Sequence, residues 1–300
     1  GEETLVDVAS AVKNGGPLTD ISGISFQRNG RIFHNPDRPL IADLDQLPMP
    51  AYHFVEDHMG KYHFTMMTGP KTVYALIEGS RGCPHRCTFC SQWKHWQGTW
   101  RSKSPKGIAA EMEFLYRDFG AEFLWLTDDN FPLGPFTREL CNELVSRGIG
   151  DKIMWFVQAR CDDIVRDKDL LPRMRSAGNM WVLTGAESGS ETTLRRVGKS
   201  LSPDQTGEAL RLMKENGIFA QATFIIGHRD DRHDTLSALR DFVNSVDPDL
   251  AIFMILTPFP GTDVYEEARK HGWIEDYNWA NYDMVHPIMP TETLSREQLQ

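Results

Sequence analysis

The chain lacks any apolar run approaching the roughly twenty residues that a membrane-spanning helix needs, so no membrane span is expected. It also lacks a surplus of basic charge: 32 Lys and Arg stand against 42 Asp and Glu, a net charge of −10. That balance argues against non-specific nucleic-acid binding through a broad basic face and leaves only a local basic groove open. Cysteine is scarce, with five in 300 residues. An odd, tightly clustered set fits a reducing compartment, the cytoplasm, better than a secreted disulfide scaffold. There is no low-complexity tract, no signal peptide and no repeat beyond a strand–helix period. The first residue is not methionine. GEETLVDVASAVKNGG reads as a helix already under way, and LSREQLQ reads as the start of another. Both ends are therefore expected to be cut from a longer polypeptide.

What is present is ordinary for a globular protein, with 40% hydrophobic and 25% charged residues. After a helix over Glu3–Asn14, GISFQRNGRIFH places two alternating runs around Asn29-Gly30, a hairpin signal. The Pro- and Asp-rich stretch NPDRPLIADLDQLPMPAYH reads as a linker. Residues 1–50 are assigned to a domain tail with its hairpin and linker, and 51–71 to a connector. From Thr72 the pattern becomes regular. TVYALIEG, EFLWLTDD, IMWFVQAR, MWVLTGAE, FAQATFIIG and LAIFMILTP read as strands. Helices are expected near Pro105–Phe119, Thr137–Arg147, Lys168–Ala177, Pro203–Asn216, Thr235–Val246 and Asp263–Lys270. Ser202, Pro203, Gln205 and Gly217 mark the start and stop of the fourth. Such alternation implies an α/β fold, a partial (βα) barrel of six units with parallel strands, over 72–272, with 273–300 beginning a C-terminal extension. Chemistry in such folds gathers at the C-terminal strand ends, and here each strand ends in polar or small residues.

Cys83, Cys87 and Cys90 lie in GSRGCPHRCTFCSQW with CxxxCxxC spacing. Thiolates suit iron–sulfur clusters and zinc. A structural zinc site usually has four ligands. His85 lies within the loop and keeps zinc open, while Cys141 and Cys161 stand alone and read as buried thiols. A 4Fe–4S cluster held by three cysteines leaves one iron free for a substrate or cofactor.

CPHRCTFC, with Phe89 before the last cysteine, resembles the signature of the radical S-adenosylmethionine enzymes, and it follows the first strand as in that superfamily's partial barrel. The resemblance implies a 4Fe–4S cluster, S-adenosylmethionine bound at the open iron, and a 5′-deoxyadenosyl radical that abstracts hydrogen. It implies cofactor contacts for Asp128 or Asp129 with the methionine amino group, for Arg160 with its carboxylate, and for Gln158, Glu187 and Ser188 nearby. Structural readings stand beside these. Asp128–Asn130 make a capped turn before Pro132, Glu187 pairs with Arg160, or Arg160 pairs with Asp162 or Asp163. His228 reads as a solvated loop histidine. Trp93, Trp96 and Trp100 read as packing over the cluster, with Lys94, His95 and Arg101 offsetting its charge, rather than as a nucleic-acid stacking platform.

CSQWKHW, ARCDDIVRD, GAESGSETTLRRVGK and TPFPGTDVYE are similar to the group around the anaerobic magnesium-protoporphyrin monomethyl ester cyclase and the radical C-methyltransferases. That likeness implies cobalamin, held mainly by a domain upstream of Gly1, of which residues 1–50 are the tail. EDHMG near His58 does not fit the DxHxxG cobalamin motif, which many members of this branch lack. The leading expectation is methylation of an unactivated carbon on a small molecule or a peptide side chain such as glutamine. In the family scheme one S-adenosylmethionine methylates cobalamin and a second generates the radical. The alternatives are oxidative cyclisation of a porphyrin ester, a tRNA-modifying radical enzyme, and a zinc or electron-carrier module. A ferredoxin or flavodoxin would supply electrons. Met66-Met67 and the loop after the sixth strand are expected near the substrate.

Overall fold

The computed structural model describes residues 1–64, 68–69 and 71–300. Met66 and Met67 lie outside the described residues. Two compact units divide after Ala42, rather than after residue 50.

In the first unit, α1 (Glu2–Asn14) ends at Gly15, whose φ of 66° gives the left-handed cap that glycine accepts without strain. The hairpin of β1 (Ser25–Arg28) and β2 (Arg31–His34) turns at Asn29-Gly30, both at positive φ. That is the type I′ geometry the dipeptide favours. Asn35 donates to Leu18 O and Ile21 O, both at 2.7 Å. Arg38 ties back to Glu3 and Asp7.

The second unit runs Asp43–Gln300. Its elements are α2 (Glu56–Met59), β3 (Val73–Ile77), β4 (Ser80–Gly82), α3 (Gln92–His95), β5 (Trp100–Ser102), α4 (Pro105–Phe119), β6 (Ala121–Leu126) and α5 (Pro135–Ser146). Then follow β7 (Met154–Gln158), α6 (Cys161–Arg166), α7 (Leu171–Ser176), β8 (Asn179–Glu187), α8 (Glu191–Arg196) and α9 (Pro203–Glu215). The chain continues through β9 (Phe219–Ile226), α10 (His233–Val246), β10 (Leu250–Ile255), α11 (Asp263–His271) and α12 (Arg296–Leu299). Six parallel strands pair in the order β10-β9-β8-β7-β6-β3, the curled half-barrel that the alternation implied.

Period-2 alternation sorts each strand between two cores. Leu124, Trp155, Val157, Val182, Ala220 and Phe224 face the helices. Phe123, Phe156 and Trp181 face the other way and pack with Tyr74, Trp125 and Phe219. Phe156 and Trp181 stack with ring centroids 4.7 Å apart. This aromatic plug fills the lower interior and leaves the C-terminal strand ends open.

Three features were not expected. A two-stranded antiparallel ribbon, β4 with β5, stands between the first barrel strand and its helix and carries the cysteine loop. At Gly82, with φ 92°, a Cβ would lie 2.1 Å from the Thr99 carbonyl oxygen, so only glycine fits where the ribbon strands approach. The helix anticipated over Lys168–Ala177 breaks into a 3₁₀ turn at Lys168–Leu170 and α7, with Pro172 in the first turn of the latter. The segment after α11 folds back: Ile274, Ile288 and Met289 bury against Ile225 and Leu256, and Ile255 N–H donates to Met284 O at 2.8 Å.

Helix starts follow local chemistry. Ser104 caps α4 by accepting from Gly107 N–H at 3.0 Å, and its own N–H donates to the Asp45 carboxylate at 2.9 Å. Ser202 and Gln205 form the reciprocal capping box of α9. Ser202→Ala is expected to lower unfolding free energy by about 1 kcal/mol, read from urea denaturation followed by circular dichroism.

Candidate active site

A cavity of about 580 Å³ opens at the C-terminal ends of the barrel strands, with Cys83, Cys87 and Cys90 on one wall. The loop between β4 and β5 sets them there. Cys90 N–H donates to Cys87 O at 3.1 Å, Thr88 N–H to Val197 O at 3.0 Å, and Trp93 Nε1 to Cys87 O at 3.1 Å. Burial pushes all three thiols up, and neighbouring negative charge adds to that shift, from the other thiols at Cys83 and Cys87 and from Asp129 and Glu187 at Cys90. Lys199 and Arg160 oppose it at Cys87, as do the Gln92 and Trp93 backbone amides at Cys90. Three sulfurs on one short loop, Cys87 buried and the other two half-buried, become favourable as thiolates once bound metal neutralises them. The donor set therefore fits a cluster. Among the described residues no three His, Cys, Asp or Glu side chains group around a single metal-ion position. Thiolates bound to different irons of a cluster face a shared volume rather than one point. His85 lines the same cavity, and burial lowers its pKa, with Arg160 nearby adding to the effect.

The adjacent carboxylates of the second barrel strand separate. Asp129 lines the cavity and accepts from Gly82 N–H at 3.2 Å. Asp128, only 1% exposed, lies beneath the wall and accepts from Gly79 and Ser80 N–H at 2.8 and 2.9 Å. It holds the turn into β4. Its carboxyl is pushed up to about 6 by burial, against the pull of those amides and the Ser80 hydroxyl.

Gln158 and Arg160 both line the cavity. Arg160 is bidentate to Asp162, at 2.8 and 3.0 Å, the structural pairing foreseen for it. Glu187 does not pair with Arg160. Its Oε1 accepts from Lys199 Nζ at 2.5 Å, and the same ammonium donates to Gly185 O at 2.5 Å. Both partners are buried. Glu187 sits at φ 60°, where the β8–β9 register shifts between Gly185 and Glu187. A Cβ on Gly185 would lie 2.3 Å from Glu187 Oε1 and 2.6 Å from Lys199 Nζ, so any larger residue there would displace the ends of both side chains. A buried ion pair on a residue held at positive φ is costly both in desolvation and in backbone strain. Lys199 closes the GAESGSETTLRRVGK stretch. Nothing local distinguishes it, because the fold brings it to Glu187 across a helix.

Phe89 lines the cavity and packs against the Ile225–Leu256 cluster. Ser188 is not part of the lining. Its hydroxyl accepts from Ser190 N–H at 3.1 Å, shaping the turn into α8. His228 is not solvated. It is 4% exposed, and burial takes its pKa down to about 4, helped by Arg196. Trp93, Trp96 and Trp100 are half-buried beside the loop, and neither they nor the basic residues next to them line the cavity. Lys94 turns to Asp263 at 2.6 Å, and Arg101 lies over Trp96, 5.2 Å from the ring centroid. Arg160 and Lys199 supply the positive charge instead. Cys141 and Cys161 are fully buried, with Cys161 Sγ 3.0 Å from Thr184 Oγ1. No helix among the described residues is long and apolar enough to cross a membrane.

Comparison with known proteins agrees with this geometry. Residues 77–243 match the family model of the radical SAM superfamily. The chain is 32% identical over its whole length to 53% of the anaerobic magnesium-protoporphyrin IX monomethyl ester cyclase of Rubrivivax gelatinosus. It is 30% identical, again over its whole length, to 63% of an uncharacterized methyltransferase of Pyrococcus horikoshii. The chain thus spans about half to three-fifths of these relatives' lengths. Among solved structures it is similar to OxsB, a cobalamin-dependent S-adenosylmethionine radical enzyme, with a TM-score of 0.76 and 21% identity over 98% of this chain and 48% of that one.

The state of Asp128 generates a pH prediction. Its folded pKa, about 6, lies above the ordinary 3.8. The folded state therefore holds a proton that the unfolded state releases, and stability falls as pH rises through that window. Asp128→Asn keeps the acceptor and is expected to abolish this part of the slope. Asp128→Ala leaves the Gly79 and Ser80 amides unpaired, at a cost of roughly 1–3 kcal/mol. Urea melts on both sides of the window decide.

Proposed function

The chain belongs to the radical SAM superfamily, and from that premise we propose that it is a cobalamin-dependent radical methyltransferase acting on an unactivated carbon. The observation that carries the site is the convergence of Cys83, Cys87 and Cys90 on a cavity whose other walls present Asp129, Arg160, Glu187 and Lys199. When bound, the 4Fe–4S cluster supplies the electron that cleaves S-adenosylmethionine to a 5′-deoxyadenosyl radical.

The chain's own residues bind and shield. Arg160 and Lys199 would meet the carboxylate of S-adenosylmethionine, and Asp129 its ammonium. Glu187 and Gln158 would meet its remaining polar groups. Asp128 and Ser188, expected as direct contacts, act from behind by holding the loops. Phe89, with Leu256 and Ile255, gives the cavity an apolar side that limits water near a radical.

Cobalamin is supported by the likeness to OxsB and by the relatives' extra length, within which a cobalamin domain would lie. Residues 1–42 would then be the tail of that domain. Methyl transfer is supported by the Pyrococcus horikoshii relative. Cyclisation of a porphyrin ester is the second reading, favoured by the Rubrivivax gelatinosus relative at similar identity over the same span. A small molecule or peptide would be the substrate, and a ferredoxin or flavodoxin the electron donor.

Full-length protein reconstituted anaerobically with iron and sulfide is expected to show a 4Fe–4S spectrum that changes on adding S-adenosylmethionine. It is expected to release 5′-deoxyadenosine on reduction. Each of Cys83→Ala, Cys87→Ala and Cys90→Ala is expected to abolish cluster and product. Lys199→Met is expected to keep the cluster and to weaken S-adenosylmethionine binding at least about tenfold, as for loss of a charge-assisted hydrogen bond. A colourless protein with stoichiometric zinc would falsify the radical reading. Methyl-labelled S-adenosylmethionine separates the two reactions, because label enters the product only in methyl transfer.

A further inference from the structure

Below the charged rim, the cavity wall changes character. The inward positions of β7, β8 and β9 at this depth are Gln158, Leu183, Gln221 and Thr223, with Trp125 on β6. None is ionisable. Gln221 is 4% exposed, and its Oε1 is shielded from water with no hydrogen-bond partner among the described residues. In register it lies between Leu183 on β8 and Leu250 on β10, neither of which offers a side-chain donor or acceptor. The indole Nε1 of Trp125 is likewise buried without a partner.

A buried carboxamide without a partner is costly, roughly 1–3 kcal/mol, and uncommon enough to need a reason. Packing does not supply one. The layer beneath is aromatic, and leucine or methionine at position 221 would continue it with no polar atom to satisfy. Exchanging oxygen and nitrogen of the carboxamide leaves the same problem, with a donor orphaned instead of an acceptor. The group is intelligible if something entering the cavity completes its hydrogen bonds.

We propose that Gln221 is a substrate-orienting residue, and that the substrate buries a neutral hydrogen-bonding group of the carboxamide or hydroxyl kind on an otherwise apolar body. This rests on the reading of the cavity as the place where radical and substrate meet. The rest of the substrate meets Ile225, Ile252, Met254 and Phe259 on the apolar side. An ionised group at the depth of Gln221 would lose hydration with no counter-charge to replace it. Sites built to hydrogen-bond a buried group discriminate strongly against analogues that lack it.

Three probes of one shape test this: benzamide, benzoate and benzylammonium, titrated calorimetrically into the reconstituted full-length protein. Benzamide is expected to bind at least about tenfold more tightly than either ion. Gln221→Leu and Gln221→Met are both expected to erase that ratio. The ratio is the readout because a loosened fold would weaken all three probes together. Equal binding of the three, preference for an ion, or a ratio unchanged in both variants overturns the proposal. Release of 5′-deoxyadenosine by the wild-type protein is scored separately. Its absence removes the radical reading, while the probe ratio still decides whether the cavity selects a neutral group.

Discussion

Three sulfur atoms on one short loop, turned into the mouth of a half-barrel, are the constraint from which the rest of the site follows. Burial and mutual repulsion both oppose their ionised form. Their ionisation depends on what faces them, and the fold supplies Arg160 from the third barrel strand and Lys199 from beyond the fourth. Those two cations are expensive to bury in turn, so each has a carboxylate: Asp162 for one, Glu187 for the other. The arrangement is a chain of compensations that begins at the sulfurs and ends in the backbone.

Backbone geometry is where the compensation becomes visible. Glu187 reaches Lys199 by adopting φ 60°, at the point where β8 slips register against β9. Gly185 leaves the room that the ion pair occupies. Gly82 lets β4 and β5 close beneath the cysteine loop, and Asp128 fixes the turn that feeds it. The residues nearest the chemistry are thus held by glycines and by one carboxylate that faces away from the cavity. Opposite them the aromatic plug closes the barrel interior, and the wall between plug and rim is neutral.

Much of this was legible along the chain because it is local. The six strands, α4 with its cap, the capping box of α9 and the Asn29-Gly30 hairpin follow from period-2 alternation, from Ser-Pro starts and from the conformational freedom of glycine. The cysteine spacing and the polar strand ends were legible for the same reason. What escaped depends on contacts between distant segments. Whether Asp128 or Asp129 faces the cavity turns on one step of strand alternation at the strand's end. His228 looked like a loop residue, yet it lies in a buried turn where Asp231 accepts its N–H. Lys199 carries no local signal, and only the path of α8 brings it to Glu187.

By itself, then, the sequence determined the period of the fold, the polar ends of its barrel strands and the three-cysteine spacing of one loop. Each of these is encoded in spacings of a few residues, which backbone geometry reads directly. Tertiary structure alone decided which of two neighbouring carboxylates lines the cavity and which cations face the sulfurs. It also decided that a carboxamide at position 221 stands unpaired among leucines. Those outcomes depend on register between strands and on which groups are hidden from water, quantities that exist only once the chain has closed on itself.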